Sequence, residues 1–93
     1  MPQNVFEGGT RLNFTTTDSS IVANGPSKLF LLGVFVSQAS SNPTLKVADS
    51  VGTIANTFTP LPGQFYAMPC QINGTLTLTV GGTLDATAFY GTP

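Results

Sequence analysis

The chain has no histidine and no tryptophan, a single cysteine, a single glutamate, and charged side chains at only 8% of its 93 positions. Each shortage excludes something. Without histidine, the commonest general base and metal ligand is missing, and so is any Ser–His or Cys–His arrangement. Cys70 alone cannot close an internal disulfide, which fits assembly in a reducing cytoplasm. The expectation for Cys70 is a buried, unreactive thiol. Arg11, Lys28 and Lys46 are the only cations and are scattered along the chain. They cannot form the basic patch that counterion displacement requires, so nucleic acid is not expected as a partner.

Helical patterning is also missing. No window repeats apolar residues at i, i+3, i+4 and i+7. The longest apolar run, "KLFLLGVFVS" at Lys28 to Ser37, falls well below the roughly 20 residues of a membrane helix. Its flanks have signal-peptide features, Lys28 before it and Ser37-Gln38-Ala39 after it. A signal peptide, however, starts at the N-terminus, and here 27 mostly polar residues come first. The run reads as a buried strand. It does not alternate, so both of its faces need cover, from the sheet core on one side and from an arm or another subunit on the other.

What remains is short β-rich runs between turn residues, the pattern of an all-β chain. The strands expected are Arg11 to Thr17, Ile21 to Ala23, Lys28 to Ser37, Thr44 to Ala48, Thr53 to Thr59, Gln64 to Met68, Thr75 to Val80 and Leu84 to Tyr90. Turns are expected at Asn24-Gly25-Pro26, at the polar segment Gln38 to Pro43, at Asp49 to Gly52 and at Pro60 to Gly63. Asn73-Gly74 reads as a type I′ hairpin turn and Gly81-Gly82 as a second tight turn. About eight strands suit a single-domain antiparallel β-sandwich of jelly-roll or Greek-key type. Residues 1–10 read as an arm or edge segment, and residues 11–93 as the domain.

The residues offer little chemistry. The carboxylates Glu7, Asp18, Asp49 and Asp85 show no spacing that marks an acid–base pair, and three of the four sit in or beside turns, where Asp bonds backbone well. Gly8-Gly9-Thr10 and Gly81-Gly82-Thr83 lack the lysine and helix of a phosphate loop. No Asp-rich calcium loop is present. Asn13-Phe14-Thr15 and Asn73-Gly74-Thr75 match the glycosylation pattern by chance. The chain is therefore expected to be non-enzymatic, with no catalytic residues, metal or cofactor.

Three stretches carry a resemblance: "LGVFVSQASSNPTLKVAD" (Leu32 to Asp49), "TFTPLPGQFYAMP" (Thr57 to Pro69) and "GTLTLTVGGTLDATAFY" (Gly74 to Tyr90). In order and spacing, this part of the chain resembles a group of small all-β structural proteins of tailed bacteriophages. Cys70 after Pro69 and the poorly alternating run at Lys28 to Val36 depart from the group's pattern.

The resemblance implies a place on the capsid surface of a virion, after synthesis in the host cytoplasm. The role it implies is that of a decoration or cement protein, a homotrimer that binds the major capsid protein and holds neighbouring coat subunits together. It marks no catalytic residues, and neither nucleic acid nor membrane is a partner. Other readings are a different virion part (head fibre, tail or adhesin-like protein) or a carbohydrate-binding module, for which Tyr66 and Tyr90 are the candidate sugar-facing rings. The residues expected at a subunit or capsid interface are Phe6, Leu12, Phe14, Phe30, Phe65, Tyr66, Phe89 and Tyr90.

Overall fold

A computed structural model of the chain describes residues 10–23 and 28–92. Among these residues every regular element is a β-strand: β1 (Thr10–Phe14), β2 (Asp18–Ala23), β3 (Leu29–Ala48), β4 (Thr53–Phe58), β5 (Gln64–Ile72) and β6 (Gly74–Gly91). The expected arm at residues 1–10 lies outside the described residues except for Thr10, which opens β1 opposite Tyr90. The expected turn at Asn24-Gly25-Pro26 also lies outside them.

Among the described residues there are six strands and not eight, because two pairs of expected strands are continuous. β3 carries the run from Leu29 through the supposed loop at Gln38 to Pro43 and on to Ala48. β6 carries "TLTLTV" through Gly81-Gly82 to Gly91. The two long strands lie antiparallel along their whole length, from Phe30 opposite Gly91 to Ala48 opposite Thr77. Their turn-like residues face each other, since the ladder skips from Ser40 opposite Thr83 to Thr44 opposite Gly81. Two extra residues on β3, with Asn42 at φ 51° and Gly82 at φ 75°, bend both strands together without breaking the ladder. This is the effect of a bulge on a strand pair.

The bend divides one continuous antiparallel sheet into two arms. The first arm has the order β1, the C-terminal half of β6, the N-terminal half of β3, then β5. The second has β2, the N-terminal half of β6, the C-terminal half of β3, then β4. The sheet curls, and the concave side of both arms lines one core. Leu31, Val34 and Val36 meet Leu84, Ala86 and Ala88 there from the first arm, while Leu45, Val47, Leu76 and Leu78 come from the second.

β6 reaches this core with a period of two on either side of the bend: Leu76 and Leu78, then Leu84, Ala86 and Ala88, are all buried. β3 does not, and the register explains why. One extra residue sits in β3 between Leu31 (opposite Tyr90) and Gly33 (opposite Phe89), and another between Val36 and Gln38. A slip of one residue swaps the two faces of a strand. Once Leu32 is set aside as the extra residue, "LFLLGVFV" alternates. Leu29, Leu31, Val34 and Val36 turn to the core, and Phe30, Gly33 and Phe35 turn outward.

Candidate functional site

Two places carry side-chain arrangements beyond packing: a corner built on Asp49, and the outer face of the first arm.

Asp49 directly follows β3 and starts the turn to β4. Its Oδ1 accepts hydrogen bonds from the backbone N–H groups of Val51 (2.9 Å) and Gly52 (3.0 Å), an Asp-turn arrangement. Its Oδ2 accepts from the backbone N–H of Asn73 (2.9 Å) and from Asn73 Nδ2 (3.3 Å). Next to it, the Ser50 N–H donates to the Asn73 carbonyl (2.9 Å), and Ser50 Oγ accepts from the Thr75 N–H (3.0 Å). Asn73 joins β5 of the first arm to β6 at its start in the second, so Asp49 and Ser50 clasp the crossover between the arms. Asn73-Gly74 is therefore not a hairpin: β5 and β6 flank β3 on opposite sides in place of pairing with each other. Gly74 has φ 75°, and a Cβ there would press on the Ser50 side chain, so any other residue would strain the clasp.

Burial pulls the Asp49 carboxyl upward, but donors from the backbone of Asn73, Gly52 and Val51 and from the Asn73 side chain outweigh it and leave the pKa lowered. The corner borders an open depression of about 310 Å³ lined in part by Asp49, Val51, Ile54, Cys70 and Asn73. Cys70 is half-buried on the core side of β5. Burial first, and the Asp49 charge second, push its thiol pKa up, which keeps it protonated and a weak nucleophile. Among the described residues no group of three His, Cys, Asp or Glu side chains is placed to hold a metal ion. No helix there is long and apolar enough to cross a membrane.

The outer face of the first arm is different in kind. Phe35 on β3 stands opposite Phe65 on the edge strand β5. Phe89 on β6 stands opposite Gly33, and the Phe65 and Phe89 ring centroids are 6.3 Å apart. Gly33 is the floor of this cluster. A Cβ on it would lie 2.7 Å from Phe65 Cζ and 2.3 Å from the Tyr66 carbonyl oxygen, so the glycine lets the Phe65 ring lie across the strand. Phe35 is 36% exposed and Phe65 49%. Phe30 is half-buried in the same outward row. Polar groups border the rings: Arg11 opposite Phe89, and Asn13 opposite Thr87, whose Oγ1 donates to Asn13 Oδ1 (2.7 Å). An apolar centre with a polar border has the make-up of a protein contact surface.

Of the residues expected at an interface, Phe30, Phe65 and Phe89 share this face. The others are placed elsewhere. Phe14 is buried in the chain's own core and Leu12 packs against it, because β1 turns its even-numbered residues inward. Tyr66 and Tyr90 also pack against the core. The Tyr66 ring lies 5.1 Å from that of Phe58, and its hydroxyl accepts the Leu61 N–H at 2.8 Å, holding the Pro60 to Gly63 turn. Phe6 lies outside the described residues. The face also contains Phe35, which the unbroken apolar run concealed. Recognising Leu32 as an inserted residue would have put Phe30 and Phe35 on one side. Comparison with known protein families, curated proteins and solved structures returned no match.

Proposed function

We propose that the chain is a non-enzymatic structural protein of a phage virion. In this reading it is a capsid decoration or cement protein that docks on the major capsid protein through the outer aromatic face of the first arm and acts as a homotrimer. The observation that carries the proposal is the cluster of Phe35, Phe65 and Phe89 over Gly33, with Phe35 and Phe65 exposed and Phe89 half-buried beside them. Monomers seldom leave such a patch uncovered without a partner for it. The resemblance of Leu32 to Tyr90 to phage structural proteins supplies the kind of partner. The two arms would act as the two sheets of a jelly-roll-like sandwich, with their shared core keeping the docking face rigid. Cementing needs no reaction. It needs complementary surface and several weak contacts engaged together, which a trimer multiplies.

The test is co-sedimentation with heads assembled from the coat protein of the phage that encodes the chain, paired with the native mass by light scattering. The wild-type protein should sediment with the heads and have the mass of a trimer. Phe35→Ser with Phe65→Ser should weaken binding by about tenfold or more, given the transfer energy of a buried aromatic ring. Heads that bind the double variant as well as the wild type would overturn the docking face. Binding confined to tails or fibres, seen with a labelled antibody, would move the protein elsewhere on the virion.

A further inference from the structure

The Asn73-Gly74 pair is left without a hairpin to explain it, and its surroundings point to a different consequence. We propose that Asn73 is a site of spontaneous deamidation, restrained in the folded chain by its bonds to Asp49 and Gln71, and that the acid formed there unfastens the clasp between the two arms.

Asparagine followed by glycine is open to this chemistry because glycine has no side chain to obstruct its own backbone nitrogen. The Gly74 nitrogen attacks Asn73 Cγ. A Gly74 N–Cγ bond forms, the Cγ–Nδ2 bond breaks, the Gly74 amide proton passes to solvent base, and the side-chain nitrogen takes up a proton and departs as ammonia. Water then opens the resulting five-membered imide at either carbonyl, giving aspartate or isoaspartate. The net change is amide plus water to acid plus ammonia, with no oxidant or reductant.

The fold favours this dipeptide. Position 74 suits glycine, because φ is 75° there and a Cβ would push Ser50 out of place. Position 73 is held as an amide by its contacts: Nδ2 donates to Asp49 Oδ2 (3.3 Å) and to the Gln71 carbonyl (3.5 Å), and Oδ1 accepts from Gln71 Nε2 (3.3 Å). These three bonds hold the side chain in place and oppose its swing onto the Gly74 nitrogen, so the folded corner protects it. Water is at hand, since Asn73 lines the open depression beside Asp49. The product reverses the local chemistry. An acid at 73 has no Nδ2 donor and sets a second carboxylate against Asp49 Oδ2, where like charges repel. The isoaspartate form adds a methylene to the main chain just before Gly74, where the fit to Ser50 is tight. Either product loosens the joint that ties β5 to the second arm.

The experiment is ageing of the purified protein in mildly alkaline buffer, folded and in urea, with peptide mass spectrometry at position 73. The folded wild-type protein should react at least about tenfold more slowly than the unfolded chain, because reaction waits on local opening. Asp49→Asn should narrow that gap. Asn73→Asp, which makes the product directly, should lower the melting temperature, and Asp49→Asn added to it should recover part of the loss by restoring an amide facing an acid. Equal rates in the folded and unfolded wild-type chain would overturn the protection, and that comparison needs no variant to fold. An Asn73→Asp protein that melts with the wild type would overturn the unfastening.

Discussion

The two arms share their central strands and have little in common on their outer faces. Both halves of β3 and of β6 send Leu, Val and Ala inward to one core. Outward, the first arm shows Phe30, Phe35, Phe65 and Phe89, while the second shows Lys46 with Thr75, Thr77 and Thr79 on β6, and Val22 as an exposed apolar exception. The strand ladder is the same in both. What differs is the choice of residue at outward positions, which folding of a single chain leaves comparatively free. A threonine face suits water. A phenylalanine face in the same molecule, on β3, β6 and the neighbouring β5, calls for a cover.

The comparison breaks most completely if the arms do not share a core. Leu31 and Leu78 are fully buried, one in each arm. Leu31→Ala and Leu78→Ala should each cost about 3 kcal/mol, the usual range for removing buried methyl groups. Urea unfolding followed by circular dichroism should stay a single transition in both variants. A variant that melts one arm ahead of the other would mean two cores, and the difference between the faces would then be a difference between two units.

A smaller effect on stability is expected at the aromatic face. Phe65 is half exposed, so Phe35→Ser with Phe65→Ser should change unfolding free energy by about 1 kcal/mol, well below the cost at Leu31. The same variant should elute earlier from a phenyl column, whereas Thr75→Ser with Thr79→Ser in the second arm should not. A loss of stability equal to that at Leu31 would place these rings in the core and end the contrast between the faces.

How much of this was legible beforehand follows from the strands themselves. "TLTLTV" announced its inward leucines because β6 never slips. The all-β class followed from the missing helical period. The outer aromatic row was hidden because alternation in β3 is interrupted at Leu32 and again at Ser37, and an inserted residue looks the same in sequence as a continuous apolar run. Gly81-Gly82 reads as a tight turn and Gln38 to Pro43 as a polar loop because turn residues also make bends. Only their position opposite each other, a fact of register, makes them a corner. The Asp49 clasp was out of reach for a similar reason: its partner lies 24 residues away.

Asp49 separates the joint between the arms from the arms themselves. Its folded-state pKa lies below the ordinary 3.8. Its contribution to stability is therefore complete above that value and is lost as pH falls through the lower, folded value. Melting temperature followed into acid should drop in this window for the wild-type protein. Asp49→Asn should start lower at neutral pH and show a shallower acid limb, because the group that titrates is gone. An unchanged acid limb would show that the pH response does not come from Asp49, and the clasp would lose its electrostatic part.

The smallest effect is expected where the outer faces are alike. Each arm has an exposed cross-strand hydroxyl contact, Thr87 Oγ1 to Asn13 Oδ1 at 2.7 Å in the first and Ser19 Oγ to Thr77 Oγ1 at 3.2 Å in the second. Solvent competes for both, and valine keeps the branched shape that a strand favours. Thr87→Val and Thr77→Val should therefore each shift unfolding free energy by about 0.5 kcal/mol or less, measured by urea titration. Equal small shifts would confine the difference between the arms to the phenylalanine row. A markedly larger shift at Thr87 would mean that the polar border of the first arm also braces the rings, and the aromatic face would then include Asn13 and Arg11 as structural members.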